Sequence, residues 1–151
     1  MVESVNAETP IEHIIETVLQ WAGVESASHA YEGVEFCLDG YEFGHVHHGW
    51  QCLHINYPRR MRDALIEEGL TEPHRYFPET GWTNTPVVDR DSIDHALWLL
   101  RLSYLYRSLL RRNTAAGRVV MESIDHRAEL ANLDPSDQIL DLYEEVFETI
   151  E

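Results

Sequence analysis

The stretch "FGHVHHGWQCLHINY", residues 43–57, decides how this chain folds: it spreads four histidines, a cysteine and a tryptophan over a strand, a turn and a second strand. Upstream, Val34, Phe36 and Leu38 alternate with Glu35 and Cys37, the period of a half-buried strand. Asp39-Gly40 is the signature of a two-residue type I′ hairpin turn. With that turn, Leu38 faces Tyr41 and Phe36 faces Phe43. Strict alternation then puts Tyr41, Phe43, His45 and His47 on the apolar face.

The following turn has two readings. A two-residue Gly49-Trp50 turn sets His45 opposite His54 and His47 opposite Cys52, a three-histidine, one-cysteine cluster of the kind zinc takes. A three-residue turn, His48-Gly49-Trp50, slips the register by one and flips every side chain. Leu53, Ile55 and Tyr57 then join the apolar face, while Cys52, His54 and Asn56 point away. Each large side chain placed correctly contributes about 1.5–3 kcal/mol of burial, so the expectation is the slipped register with its uniformly apolar face.

In that register His45 and His47 sit side by side at the end of the apolar face. Two histidines two apart on a strand either bind one metal or cap the edge of a core. His74, in the loop "LTEPHRYFPETG" (70–81), is placed to fold over that end. Two readings stay open: a metal site of His45, His47 and His74 holding a divalent ion such as zinc, or a plain pair of edge-of-core histidines. Trp82 walls the site, Trp50 at the hairpin tip packs under the loop or touches a ligand, and Arg75 is available to hold an anion. His13, His95 and His126 have acidic neighbours and read as solvated.

Working outward, Thr9 caps a helix that starts at Pro10, with Ile11, Ile14, Ile15, Val18, Leu19 and Ala22 on its repeat and Gly23 as its stop. "PRRMRDALIEEG" is a second helix, and "WTNTPVV" a fourth strand. Asp91 or Ser92 caps a long helix to about Arg112, with two apolar stripes that require cover on two sides. "SDQILDLYEEVFETI" is an amphipathic tail helix suited to that role within the chain, or in a second copy through residues 93–110 or the tail itself. The predicted class is α+β, in the order α-βββ-α-β-α, with a mainly antiparallel four-stranded sheet and a C-terminal helical extension. The predicted division is 1–112 for the α+β domain and 113–151 for the extension.

Composition narrows the function classes. There are 27 acids against 11 basic residues, all of them arginine, for a net charge of −16. No basic stripe exists to displace counterions, which argues against nucleic-acid binding. The acids are spread along the chain, which points to a halophile's protein in a salt-rich interior where charge repulsion is screened. No apolar run reaches membrane-spanning length, and the first residues lack the pattern of a signal peptide, so a soluble cytoplasmic protein is expected. Cys37 and Cys52 read as buried thiols. None of the common nucleotide, zinc-protease or hydrolase motifs is present.

Gly40, Glu42, Phe43, Gly44, His45 and His47, then Pro58, Met61, Arg62 and Leu65, form a recurring pattern with Glu72, Pro73, His74, Pro78, Thr80, Gly81 and Trp82. Leu99, Leu102 and Tyr104 extend it into the long helix. Over roughly residues 10 to 110 the chain resembles the "luciferase domain" family of small bacterial and archaeal proteins, with a layout similar to the MmcQ/YjbR-like fold. The resemblance covers His45, His47 and His74 and leaves the tail beyond 113 unmatched. It implies a small-ligand- or metal-binding domain. An oxidoreductase-type enzyme with a histidine-lined pocket, or a dimerisation or protein-interaction module, are the alternatives.

Overall fold

The computed structural model describes residues 8–30 and 32–150. Helix α1 (Pro10–Val18) opens as expected: the Thr9 hydroxyl accepts from the Glu12 amide while the Glu12 carboxylate accepts from the Thr9 amide. An antiparallel meander follows: β1 (Glu25–His29), β2 (Gly33–Leu38), β3 (Tyr41–His47) and β4 (Cys52–Asn56). Helix α2 (Arg59–Glu67) leads to β5 (Glu72–Pro73) and β6 (Trp82–Pro86). Helix α3 (Ile93–Leu110) is followed by α4 (Ala115–Ser123), α5 (His126–Leu133) and α6 (Asp137–Ile150).

The sheet is antiparallel and has six strands, in the order β1-β2-β3-β4-β6-β5, not the four expected. Both additions are edge strands. β1, "ESASH", is largely exposed and carries no apolar alternation, so pairing with β2 rather than burial holds it. β5 is two residues long and contains Pro73, which an edge tolerates.

The register also differs, for one local reason. Asp39 and Gly40 have positive φ and Leu38 pairs with Tyr41, as the hairpin reading requires. Phe36, however, pairs with Gly44 rather than Phe43, and Cys37 pairs with Glu42. Phe43 is thus the extra residue of a β-bulge. Beyond it the alternation is reversed: Gly44 and Val46 continue the core face, and His45 and His47 turn to the other. A four-residue connection, His48 to Gln51, has the parity of the shorter turn and sets His45 opposite His54 and His47 opposite Cys52. The slipped register is therefore not the one adopted. The bulge lets the observed register keep Phe36, Phe43, Val46, Leu53 and Ile55 all fully buried.

A bulge leaves backbone groups off the ladder, and α3 supplies the missing partner. Ser103 Oγ lies 3.1 Å from the Phe43 carbonyl and 2.9 Å from that of Asn56. On the next residue, Tyr104 donates to the Ala22 carbonyl at 2.6 Å. Gly44 lets α3 approach: a Cβ there would come within 2.7 Å of Leu100 Cδ1. The outer side of α3 is covered within the chain by α4 and α6, where Tyr143 donates to the Leu102 carbonyl. His126 is buried and bonded to Ser108 Oγ at 2.8 Å, not solvated, and His95 Nε2 reaches the Leu70 carbonyl at 2.7 Å. His13 faces Glu8 near the surface.

Ser103→Ala removes the hydroxyl shared between the buried Phe43 carbonyl and the part-buried Asn56 carbonyl. It is expected to cost about 1–3 kcal/mol in urea unfolding. A loss within a few tenths of a kcal/mol would show that the bulge does not need α3.

Candidate functional site

The face of the sheet turned away from α3 carries the histidines. One row across the strands reads His29, Gly33, His47, Cys52, Pro86, and the next Ala27, Glu35, His45, His54, Asn84. Gly33 leaves a gap in the first row, and the His29 ring closes over it to stack on His45 at 3.8 Å and meet His47 edge-on at 5.3 Å. His54 lies 5.0 Å from both His45 and His47, and 4.3 Å from His74. The loop between β5 and β6 closes this end, held by Trp82 and by His74, whose amide donates to the Trp82 carbonyl.

These residues floor a cavity of about 510 Å³, rimmed by Trp50, Tyr76, Phe77 and Trp82. A second chamber of about 320 Å³ shares Trp50, His54, His74 and Tyr76 with it and is lined further on by Cys52 and Arg75. All six residues expected at the site, His45, His47, His74, Trp50, Arg75 and Trp82, therefore line one or the other. Sequence reasoning missed His29 and turned His54 away. His29 sits on a strand with no periodic signal, and only the register brings it to Gly33.

Hydrogen bonding assigns the rings distinct roles. His29 Nδ1 lies 2.6 Å from Glu35 Oε2, and His45 Nδ1 meets the Glu42 carboxyl. Carboxylates behind Nδ1 orient a histidine so that Nε2 faces a metal. Two donor triplets have ligand atoms within 4.8 Å of one another, His29 with His45 and His47, and His29 with Glu35 and Glu42; the first is the all-imidazole one. His74 differs: its Nδ1 accepts from the amides of Tyr76 and Phe77, at 3.1 and 3.3 Å. Its neutral ring therefore carries the proton on Nε2 and presents a hydrogen-bond donor to the cavity, not a lone pair.

Burial keeps His45 and His54 uncharged. It pushes both down to about 3, with neighbouring histidines adding in the same direction. Glu42 is pushed up to about 7 by burial and by the Glu35 charge. These shifts fit a continuous chain of bonds. Asn84 Nδ2 reaches Glu72 at 3.4 Å, so its Oδ1 faces His54 Nε2 at 3.1 Å. His54 Nδ1 then accepts from His45 Nε2 at 3.1 Å, and His45 Nδ1 accepts from protonated Glu42. One proton on Glu42 gives every link a donor and an acceptor.

Residues 40–103 match the family model described as "Luciferase domain". That segment is similar to this family; it contains His45, His47, His54, His74, Trp82 and Ser103, and leaves His29 outside. No curated protein and no solved structure matches the chain. Among the described residues no helix is long and apolar enough to cross a membrane.

The pH dependence of the metal-free protein follows in sign. Above about pH 6.5, His54 is neutral both folded and unfolded. Below it the unfolded chain takes a proton that the folded ring refuses, down to about pH 3, so stability falls as pH falls. Glu42 acts oppositely between about 7 and 4.5, where the folded state holds the extra proton. Wild type compared with His54→Leu isolates the first effect: wild type should lose stability relative to the variant as pH drops from 6.5 to 4. A constant difference between them would contradict a depressed His54.

Proposed function

We propose that this chain is a small-ligand-binding domain whose seat is the histidine basin, with a divalent ion such as zinc held by His29, His45 and His47. The observation that carries the reading is the triplet of ring nitrogens within 4.8 Å, two of the rings backed by carboxyl groups. Desolvation supports it at His45, because a ring that resists protonation keeps a lone pair for a metal. Zinc on His45 Nε2 would replace the proton shared with His54, and Glu42 would then accept from His45 Nδ1. The aromatic rim supports a ligand seat over the ion. Its volume suits a small organic molecule. The similarity to the luciferase-domain family is compatible with such a seat.

The surface fits a salt-rich cytosol in the same reading, since the excess of acids and the absence of lysine leave many hydrated carboxylates.

Zinc content after dialysis in zinc-containing buffer without chelator tests the metal. Wild type and His74→Ala should each hold one zinc per chain. His29→Ala and His47→Ala should lose it while keeping native circular dichroism, and X-ray absorption should show imidazole nitrogens in the metal's shell. Zinc-free wild type, or zinc lost from His74→Ala and retained in His29→Ala, would overturn the assignment.

A further inference from the structure

Three of the most exposed large apolar side chains of the described residues surround one opening: Trp50 at 54%, Tyr76 at 72% and Phe77 at 58%. Trp82 completes the wall, 5.2 Å from the His45 ring. Scattered exposed apolar residues need no explanation, but a cluster rimming a cavity marks a binding surface. Rings dominate both wall and floor. The larger chamber therefore offers flat π faces to a bound molecule.

The smaller chamber adds a side-chain cation. Among the described residues Arg59 and Arg75 are the arginines that make no hydrogen bond, ion pair or ring contact within the chain. The others are bonded, as with Arg60 and Glu145, Arg62 and Asp63, or Arg101 and Glu129. Arg59 stands at the start of α2, while Arg75 lines the chamber beside the basin. In a chain with 27 acids, an exposed guanidinium without a carboxylate partner at a cavity wall is free to meet a charge from outside the chain. Its field already reaches inward, where it opposes the burial that raises the Cys52 thiol. An overall charge of −16 repels anions, so an anionic ligand needs such a local cation to be retained.

We infer that the two chambers take one molecule, a planar aromatic ring system bearing an anionic group. The ring lies against Tyr76, Phe77 and Trp82 over the histidines, and the anion lies on Arg75. This rests on the reading of the basin as a ligand seat. It adds the ligand's class and names Arg75 as the residue that selects it. A carboxylate meets the planar guanidinium in a two-point bond that lysine cannot reproduce.

Three probes of similar size separate the contributions: 2-naphthoate, neutral 2-naphthamide, and saturated decalin-2-carboxylate. Each is titrated calorimetrically into zinc-loaded and zinc-free wild type, Arg75→Gln and Arg75→Lys, with zinc content read on the same samples. Naphthoate should bind wild type about tenfold more tightly than either of the other two, a gap of about 1.4 kcal/mol. Arg75→Gln should bring naphthoate down to the amide's affinity with zinc content unchanged, and Arg75→Lys should restore part of the gap. Equal affinity for naphthoate and naphthamide in wild type would overturn the inference. So would a preference that survives Arg75→Gln and vanishes with zinc, which would put the anion on the metal and leave the metal reading intact. Zinc loading with no probe bound would reject the ligand class alone. Neither zinc nor probe would reject both readings.

Discussion

The arrangement depends on one extra residue. Phe43 is inserted between the Cys37–Glu42 and Phe36–Gly44 pairs, so that it and the following Gly44 and Val46 all serve the core while His45 and His47 turn outward. Without the bulge, alternation from Tyr41 would drive both histidines into the apolar core or expel Val46 from it. A bulge costs ladder hydrogen bonds, and it persists because Ser103 on α3 satisfies the Phe43 carbonyl while Gly44 admits Leu100 at close range. Core packing and the histidine face are thus set by the same few atoms.

What the bulge delivers is a polar face that is nonetheless buried. His45, His47, His54 and His74 each expose less than a tenth of their surface. Imidazole suits such a place because it can be neutral and still hydrogen-bonded at both nitrogens. Glu35 and Glu42 tie down His29 and His45, Asn84 ties down His54, and two backbone amides tie down His74. The rings are held by different partners and so present different atoms to the cavity. His74 offers a proton; His29 has its Nδ1 engaged by a carboxylate and its Nε2 available.

Much of this fold was legible in the sequence. The Thr9 cap, the Asp39-Gly40 turn, the proline and glycine that bound α2 and the double stripe of α3 each carry a local signal that survives in the structure. The misses were not local. β1 has no periodicity, and β5 is too short to have one. The bulge has only an equivocal marker, a glycine inside a strand, and weighing burial over strict alternation chose the wrong register because it assumed the alternation unbroken. That single assumption turned His54 away from its partners. His29 depended further on β1, and its place beside His45 and His47 emerges only when three strands are paired. The loop residues His74, Arg75 and Trp82 drew notice because a loop with two prolines carries them back to the sheet, and they line the two chambers.

The register of β3 on β4 is the point on which the site stands or falls, and nuclear Overhauser contacts across that pair read it directly. Cross-strand contacts between backbone protons of His45 and His54, with ring-to-ring contacts consistent with centroids 5.0 Å apart, are the predicted result. Backbone contacts from His45 to Leu53, with the His54 ring showing none to His45, would contradict the bulged register and dissolve the basin.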